Sequence, residues 1–473
     1  MSIYDLTVWQ WLALLQHETL LFAGVFFLIG ALDDLAVDAA WLWLKVRGRS
    51  LTARRDHHAL RNRKLHGPAA VLIPAWQEAA VIGQTIRHLL ESWPQSELRL
   101  YVGCYRNDPA TLAAGIAAAQ GDPRLRLVIH DRDGPSTKAD CLNRLYGALA
   151  LDEARSGQRF ASVVFHDAED MVDPAALGLL DETIAAGADF VQLPVEPLIP
   201  RRAGWFARHI ASHYCEEFAE AHGKAMVVRD ALGASLPGAG VGCGAARGAL
   251  DRLAARRADG LPFAEDSLTE DYELGLAIGA SGGRCRFVRA RAEDGRLIAT
   301  RAFFPHRFDP AVRQKTRWVL GIAYQGWDRV GWSGGMIERW MRARDRRGPL
   351  TALVLLAGYL LVVLTGLMGI AVASGLTDPV PLTPLLTGLL IANALTFLWR
   401  MVFRFAFTAR EYGLAEGLWA VARVPLANVI AIIAGRRALF GYVRTLGGRM
   451  AAWDKTEHDA HPTQLGYAGA GGS

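Results

Sequence analysis

The stretch VVFHDAEDMVDP, residues 163–174, decides how the rest of the chain is interpreted. Residues 160–165 are mostly apolar and partly β-branched, which predicts a short buried strand. Asp167, Glu169 and Asp170 follow it directly, and three carboxylates this close repel one another unless water or a cation separates them. We therefore predict a site for a hard divalent cation, Mg²⁺ or Mn²⁺, in this loop. A solvated acidic turn that caps the next helix is the alternative.

Strand and helix patterns alternate on both sides of this stretch. Strands are predicted at 69–73, 98–103, 125–130, 160–165 and 189–195, and helices at 80–93, 111–120, 139–153 and 175–186. This alternation predicts an α/β domain with a mainly parallel sheet and helices on both faces. Because ligands bind at the carboxyl ends of such strands, loops 74–78, 104–108 and 167–170 should converge on one crevice.

A glycine-rich run, GAGVGCG at residues 238–244, invites comparison with a dinucleotide-binding fingerprint. It lies late in the domain and does not join a first strand to its helix, so the fingerprint fails. We interpret the run as a flexible loop that needs close backbone approach.

Apolar segments flank the α/β domain. Residues 350–376 and 379–399 carry no charged side chain, and each is long enough to cross a hydrocarbon core of about 30 Å. Residues 1–46 contain a further span without the basic start of a cleaved signal. Basic clusters at 45–64 and 339–347 border the spans, which predicts a cytoplasmic domain by the positive-inside rule. Because membrane topology explains these clusters, no nucleic-acid partner is expected.

The predicted organisation has six parts. They are an N-terminal transmembrane segment (1–46), a basic juxtamembrane linker (47–65), the cytoplasmic domain (66–345), two transmembrane helices (346–403), an interfacial helix or third C-terminal span (404–456) and a disordered tail (457–473). For the fifth part, the sequence allows either a span or an interfacial helix, because residues 416–434 are apolar but contain Arg423 and Pro425. The arginines that follow favour the interfacial helix. The five cysteines form no CxxC pair, which predicts free thiols.

Two further motifs carry polar side chains. A TED triplet at 269–271 begins a predicted helix, where carboxylates also serve as ordinary caps. In QKTRW, residues 314–318, Gln314, Arg317 and Trp318 share one helical face. A guanidinium binds phosphate oxygens and an indole offers a stacking face to a sugar. An amphipathic helix on a membrane surface would explain the same pattern.

Together these motifs resemble the membrane-bound family 2 glycosyltransferases. The family's loop, Lys…Asn, DxD-type, TED and QxxRW motifs appear in order as PAWQE (74–78), KADCLN (138–143), DAED (167–170), TED and QKTRW. The resemblance implies a GT-A fold, a metal-dependent inverting transfer from a UDP-sugar, and a multi-pass protein of the bacterial inner membrane. It extends to AWDKT at 452–456, and a cyclic-di-GMP-sensing extension is not expected beyond it.

The resemblance also implies roles for single residues. Catalysis is expected of Asp271 as general base, Glu270 beside it and Arg317 on the leaving diphosphate. The metal ligands would be Asp167 and Glu169, the latter standing where the family has a second Asp. Donor contacts are expected from Pro74, Ala75, Trp76, Glu78, Asp108, Lys138, Asn143 and Asp167, and acceptor or diphosphate contacts from Gln314, Arg317 and Trp318.

The acceptor implied is a lipid-linked or growing polysaccharide, in envelope or exopolysaccharide synthesis and export. Three spans make a small channel, so a homo-oligomer or an outer-envelope export partner is expected. Two alternatives stay open from the sequence. One is single-sugar transfer to polyprenyl phosphate, and the other is a non-catalytic membrane receptor or scaffold that supports phage adsorption.

Overall fold

The computed structural model describes residues 7–50, 52–379, 381–447 and 461–467. Its strands are β1 (Ala53–Arg54), β2 (Ala69–Pro74), β3 (Leu98–Tyr105), β4 (Leu125–His130), β5 (Ser162–Phe165), β6 (Phe190–Gln192), β7 (Val195–Leu198), β8 (Cys243–Ala246), β9 (Cys285–Phe287), β10 (Ala290–Arg291) and β11 (Thr300–Phe303). The first ten helices are α1 (Val8–Val46), α2 (His57–Arg61), α3 (Ile82–Ser92), α4 (Pro109–Ala119), α5 (Lys138–Ser156), α6 (Ala176–Ala185), α7 (Trp205–Glu220), α8 (Met226–Ala231), α9 (Arg247–Ala254) and α10 (Glu270–Ala280). The others are α11 (Phe308–Val319), α12 (Gly326–Val330), α13 (Met336–Arg346), α14 (Gly348–Ala373), α15 (Pro384–Tyr412), α16 (Leu414–Ala422) and α17 (Val424–Leu446).

Seven strands form the central sheet in the order β4-β3-β2-β5-β8-β6-β9. Neighbours run parallel except at β8, which is antiparallel to both β5 and β6. The predicted α/β class with a mainly parallel sheet is confirmed. The interior strand β2 reads as a continuous apolar run because parallel strands are buried on both faces.

Each face of the sheet has its own apolar core. Val71 and Ile73 of β2 point into the core beneath α3 and α6, whereas Ala70 and Leu72 point into the core beneath α5. This alternation follows from the two-residue period of a strand. The register pairs Leu72 with Phe165, so β2 and β5 end at the same edge, where the acidic residues follow.

Among the described residues, four helices are long and apolar enough to cross a membrane by length and composition, namely α1, α14, α15 and α17. The first three pack together, as Asn393 of α15 donates to the Gly24 carbonyl of α1 at 2.9 Å and Gln16 of α1 donates to Thr365 of α14 at 3.0 Å. Near the other end of α1, Asp33 and Asp34 bind Arg347 at 2.7 Å each. These ion pairs fix α1 against the start of α14.

The region predicted as an interfacial helix or third span contains the end of α15, then α16 and α17. In α17, Asn428 donates to the Tyr359 hydroxyl at 3.3 Å, Gly435 packs on Ala352, and Arg437 donates to Asp309 of α11 at 3.1 Å. These contacts join α17 to residues 352–359 in the first half of α14 and to α11 of the α/β domain. We therefore propose the interfacial placement for α17.

The prediction of a disordered tail is wrong for residues 461–467. His461 is fully buried, Pro462–Leu465 form a 3-10 turn, and Tyr467 packs on Phe303 with ring centroids 5.2 Å apart. The glycine-rich composition that suggested disorder belongs to residues 468–473, which, like 457–460, lie outside the described residues. A histidine, a proline and a tyrosine supply enough surface to dock a short segment.

Candidate active site

A cavity opens at the edge where β2, β3 and β5 end. It brings together twelve of the residues predicted from the sequence. They are Pro74, Ala75, Trp76, Glu78, Lys138, Asp167, Glu169, Glu270, Asp271, Gln314, Arg317 and Trp318. Residues almost 250 positions apart in the chain meet here because the parallel topology delivers each loop to the same edge.

Asp108 is not among the residues lining the cavity, and it acts through the loop after β2 instead. Its carboxylate accepts from the Gln77 amide at 2.6 Å and from the Thr111 amide at 3.3 Å, where it caps α4. Gln77 has a positive φ of 53°, a conformation that side chains other than glycine adopt only when other contacts hold it. Asp108 thus bonds the backbone of the loop that carries Trp76 and Glu78, and its predicted donor contact stays a prediction.

Asn143 also lies outside the cavity lining. Its amide nitrogen donates to the Phe263 carbonyl at 2.9 Å, and its amide oxygen accepts from the Phe263 N–H at 3.1 Å. The side chain is buried, so both of its polar ends are committed to that backbone. The sequence could not separate this clamp from a donor contact, because the motif gives the residue type and not its direction.

The acidic loop, residues 166–173, is closed by a side chain within it. Asp170 accepts from the Asp167 amide at 2.9 Å and from His166 Nδ1 at 2.8 Å. Burial raises the pKa of Asp170, and His166 opposes that shift. Asp170 also lines the cavity, but its carboxylate is bonded within the turn, which leaves Asp167 and Glu169 as the candidate cation ligands of this loop.

Lys138 joins the acidic loop to the TED triplet. Its ammonium lies 2.6 Å from Asp167 and 3.6 Å from Glu270. Burial by itself lowers the pKa of Lys138, but attraction by Asp167, Glu270 and Asp271 outweighs it, and the net shift is upward. Burial raises the pKa of Glu270 to about 7 against the attraction of Lys138. Burial also raises the pKa of Asp271, which makes this carboxylate a stronger base.

The glycine-rich run approaches Asp271 closely. Gly240 has φ +82°, and a Cβ there would lie 2.6 Å from Asp271 Oδ2. The close backbone approach expected of the glycine-rich run is explained at Gly240, because a side chain there would collide with Asp271. Gly321, just after α11, meets Thr269 in the same way, which lets the QKTRW helix approach the TED triplet.

We expect Gly240→Ala to reduce turnover at least tenfold, because the methyl group displaces the carboxylate that must accept a proton. Turnover can be measured as release of nucleoside diphosphate. Gly233→Ala is the matched control, since Gly233 also has a positive φ (+70°) but nothing within 4 Å of the added methyl group. Equal losses in the two variants would mean that backbone strain, not the contact with Asp271, causes the effect.

An aromatic wall lies opposite the acidic residues. Phe218, Phe303 and Phe304 line the cavity beside Trp318. Lys315, from the same motif, lies 5.0 Å from the centroids of both Trp318 and Tyr214 and pairs with Glu217. Gln314, Arg317 and Trp318 of the motif thus line the cavity, and Lys315 makes a cation–π contact with the Trp318 indole.

The sequence reasoning missed several lining residues. None of the five motifs contains Tyr105, Phe218, Phe303 or Phe304, and Cys141 lies within KADCLN but was expected only to be a free thiol. Cys141 is a free thiol, as predicted, and burial raises its pKa to about 12, so it is protonated at neutral pH. The sequence of β11, TRAF, has no alternation of apolar and polar residues, so no local pattern marked this strand or the cavity that it faces.

The lining fits a cation that arrives with a diphosphate. Among the described residues it holds six carboxylates against two cations, Lys138 and Arg317. A diphosphate entering this acidic cavity is repelled unless positive charge accompanies it. In the part of the chain described, no group of three or more His, Cys, Asp or Glu could hold a metal ion alone. Asp167 and Glu169 match the usual Mg²⁺ arrangement of one or two carboxylates completed by substrate phosphates.

Two known proteins are similar to this chain over most of its length. The chain is 33% identical over 478 residues to bacteriophage adsorption protein B of Escherichia coli K12 and to bacteriophage N4 adsorption protein B of E. coli O157:H7. The match covers 95% of this chain and 63% of each relative, so the chain spans less than two thirds of their length.

Solved structures also resemble the chain. A mannosyltransferase from Pyrobaculum calidifontis, in complex with GDP-Man and Mn²⁺, is 16% identical, with a TM-score of 0.49 over 85% of this chain and 98% of that one. Glucosyl-3-phosphoglycerate synthase from Mycobacterium tuberculosis, in complex with Mg²⁺ and UDP, is 20% identical, with a TM-score of 0.36 over 60% of this chain and 88% of that one.

The family assignment rests on the domain itself. Residues 66–321 match the family described as glycosyltransferase like family 2, which is more than half of the chain and includes the whole central sheet. The GT-A fold expected from the sequence is confirmed. The chain belongs to glycosyltransferase family 2.

Proposed function

We propose that this chain transfers a sugar from a UDP-linked donor to a lipid-linked or growing polysaccharide acceptor, with inversion at the anomeric carbon. One observation carries the proposal. The acidic loop, Lys138, the TED triplet and the QKTRW helix line a single cavity. A carboxylate with a raised pKa, a guanidinium and an indole around that cavity supply a base, an anion contact and a sugar platform.

The residues would divide the reaction between the two ends of the cavity. On the donor side, Pro74, Ala75, Trp76 and Glu78 would line the nucleotide. Asp167 and Glu169 would hold Mg²⁺ or Mn²⁺, and the cation when bound would neutralise charge on the diphosphate. Arg317 would stabilise the same charge from the opposite wall, where it develops as the sugar–phosphate bond breaks.

Asp271 would accept the proton of the acceptor hydroxyl as that oxygen attacks the anomeric carbon. Burial raises the pKa of Asp271 and so makes it a stronger base, while the positive charge of the nearby Lys138 favours its ionised form. Glu270 would remain paired to Lys138 and hold that ammonium between the two motifs. A single displacement from the face opposite the leaving diphosphate gives inversion.

The membrane helices support an acceptor that is lipid-linked or exported. We propose a multi-pass protein of the bacterial inner membrane with the α/β domain in the cytoplasm. The basic residues that border α1 and α14 favour this orientation. Envelope or exopolysaccharide synthesis, with a homo-oligomer or an outer-envelope export partner, would fit a cavity lined in part by α7 and α11, since α11 in turn contacts α17.

The direct experiment offers membranes containing the full chain a panel of nucleotide sugars with Mn²⁺ and measures nucleoside diphosphate release. We expect release from one UDP-sugar, and loss of release when the metal is chelated. Release from a guanosine or deoxythymidine donor alone would overturn the choice of UDP. The size of the lipid-extracted product separates polymer synthesis from single-sugar transfer to polyprenyl phosphate.

A non-catalytic receptor or scaffold is the second candidate, because the matched relatives are named as bacteriophage adsorption proteins. Phage sensitivity in cells that carry only an Asp271→Asn chain tests it. Full sensitivity together with no detectable transfer by the unmodified chain would favour the receptor. Intact acids in all three acidic motif positions favour the enzyme.

A further inference from the structure

The acidic loop (residues 166–173) is fastened from outside through its backbone carbonyls. Three of the donors come from α3 and the residue after it. The Thr85 hydroxyl donates to the Ala168 carbonyl (2.5 Å), the His88 imidazole to the Val172 carbonyl (3.0 Å) and the Trp93 indole to the Asp173 carbonyl (3.1 Å). Because each carbonyl is bonded to a rigid helix, the loop has little freedom at these points.

The fourth fastening comes from the other end of the sequence. His461 Nε2 lies 3.1 Å from the Asp170 carbonyl, across 291 positions of the chain. The Thr463 amide donates to His461 Nδ1 at 3.3 Å, so Nδ1 is an acceptor and the Nε2–H group donates the hydrogen bond to the Asp170 carbonyl. The imidazole is 0% exposed and packs beside His88, with ring centroids 5.8 Å apart.

Asp170 connects this contact to the proposed metal site. Its carbonyl accepts from His461, while its carboxylate accepts from the Asp167 amide and thereby sets where the Asp167 side chain begins. Without His461 the Asp170 carbonyl would be buried and unsatisfied beside a small void, and the loop would rearrange to recover a hydrogen bond.

The far end of residues 461–467 is anchored to a different element. The Tyr467 hydroxyl donates to the Ile199 carbonyl and accepts from the Arg201 amide at 2.9 Å. The Tyr467 ring packs against Phe303, which lines the cavity. The segment thus spans from the acidic loop to the aromatic wall, across the outside of the site.

We infer that residues 461–467 are a C-terminal strap that positions the acidic loop for the cation and the diphosphate. His461 is a positioning residue in this arrangement, since it touches neither ligand and acts through Asp170. The inference rests on the proposed function for its effect on metal binding. Its effect on loop order is independent of that function.

The first test measures loop order without any ligand. Hydrogen–deuterium exchange of peptides covering residues 166–173 is compared in the full chain and in His461→Ala. We expect exchange about tenfold faster in the variant, because a buried fastening is lost. His461→Gln, whose amide can still donate to Asp170, should restore most of the protection. Unchanged exchange in His461→Ala would overturn the inference, whatever the chain's activity.

The second test measures Mn²⁺-dependent UDP binding by calorimetry. We expect His461→Ala to weaken apparent Mn²⁺ affinity about tenfold, the lower end of the cost of losing support behind a metal ligand. Gln95→Ala is the matched control, because Gln95 is also buried and donates to a distant backbone carbonyl, that of Arg61, at 2.6 Å. An equal loss in the control would overturn the inference, since general destabilisation would then explain the loss.

Two outcomes separate this inference from the proposed function. If the unmodified chain binds UDP without Mn²⁺ dependence, the proposed metal site fails, and the exchange experiment alone decides the role of the strap. If His461→Ala does not fold, Tyr467→Phe removes only the hydroxyl at the outer end. We then expect a smaller rise in exchange over residues 166–173, and no rise would contradict the strap.

Discussion

Asp271→Asn is expected to lower sugar transfer by about 10²–10⁴-fold, the usual contribution of a positioned general base. Asparagine has nearly the same shape, so the contact with Gly240 and the hydrogen bond from the Tyr272 amide to Oδ1 at 2.8 Å can both persist. What is lost is an oxygen able to accept the acceptor's proton. UDP binding should change little, because the diphosphate would be held by other residues.

The measurement is turnover of the donor identified in the panel, with UDP affinity determined on the same preparation. Asp266→Asn is a suitable control, since this neighbouring carboxylate pairs with Arg329 at 2.7 Å and is not part of the cavity lining. Turnover near that of the unmodified chain in Asp271→Asn would remove Asp271 from the mechanism. Lost UDP binding would instead mean that Asp271 contributes to the donor site.

Asp167→Ala is expected to abolish the Mn²⁺-dependent part of UDP binding, a loss of about tenfold or more in affinity. The reason is electrostatic as well as coordinative. Asp167 is one of two carboxylates proposed to hold the cation, and it also pairs with Lys138. In the variant Lys138 turns to Glu270, and some metal-independent affinity for the diphosphate should remain through that ammonium and Arg317.

Calorimetry with UDP in the presence of Mn²⁺, and again with the metal chelated, distinguishes these contributions. Asp131→Ala provides the control, because Asp131 pairs with Arg144 on the surface and its side chain is 77% exposed. If Asp167→Ala retains the full difference between the two conditions, the cation is held elsewhere. Glu169 would then be the next ligand to examine.

Much of the architecture could be predicted from local patterns. The alternation of strands and helices predicted the α/β class and the strands β2 to β5 within two residues of their observed bounds. It did not predict that β8 enters the sheet antiparallel between β5 and β6, since the glycine-rich run before it resembles a loop. Strand pairing depends on long-range contacts that no local pattern encodes.

The candidate site could also be predicted only in part: its residue types could be predicted from the sequence, and the directions of its side chains could not. The motifs identified the residue types that meet at the cavity, because a carboxylate or a guanidinium is recognisable wherever it stands. They could not distinguish Asn143 and Asp108, which clamp backbone, from the residues that line the cavity. The difference is only the direction of a side chain, and neighbours distant in sequence set that direction.

The fold class, the apolar helices on either side of the α/β domain and the order of the five motifs could be predicted from the sequence, because periodicity and residue chemistry are local properties. The tertiary structure alone decided that Gly240 must approach Asp271 and that His461 fastens the acidic loop from 291 positions away. These are contacts between segments that chain connectivity does not bring together. They exist only once burial of the two apolar faces of the sheet has brought those segments into place.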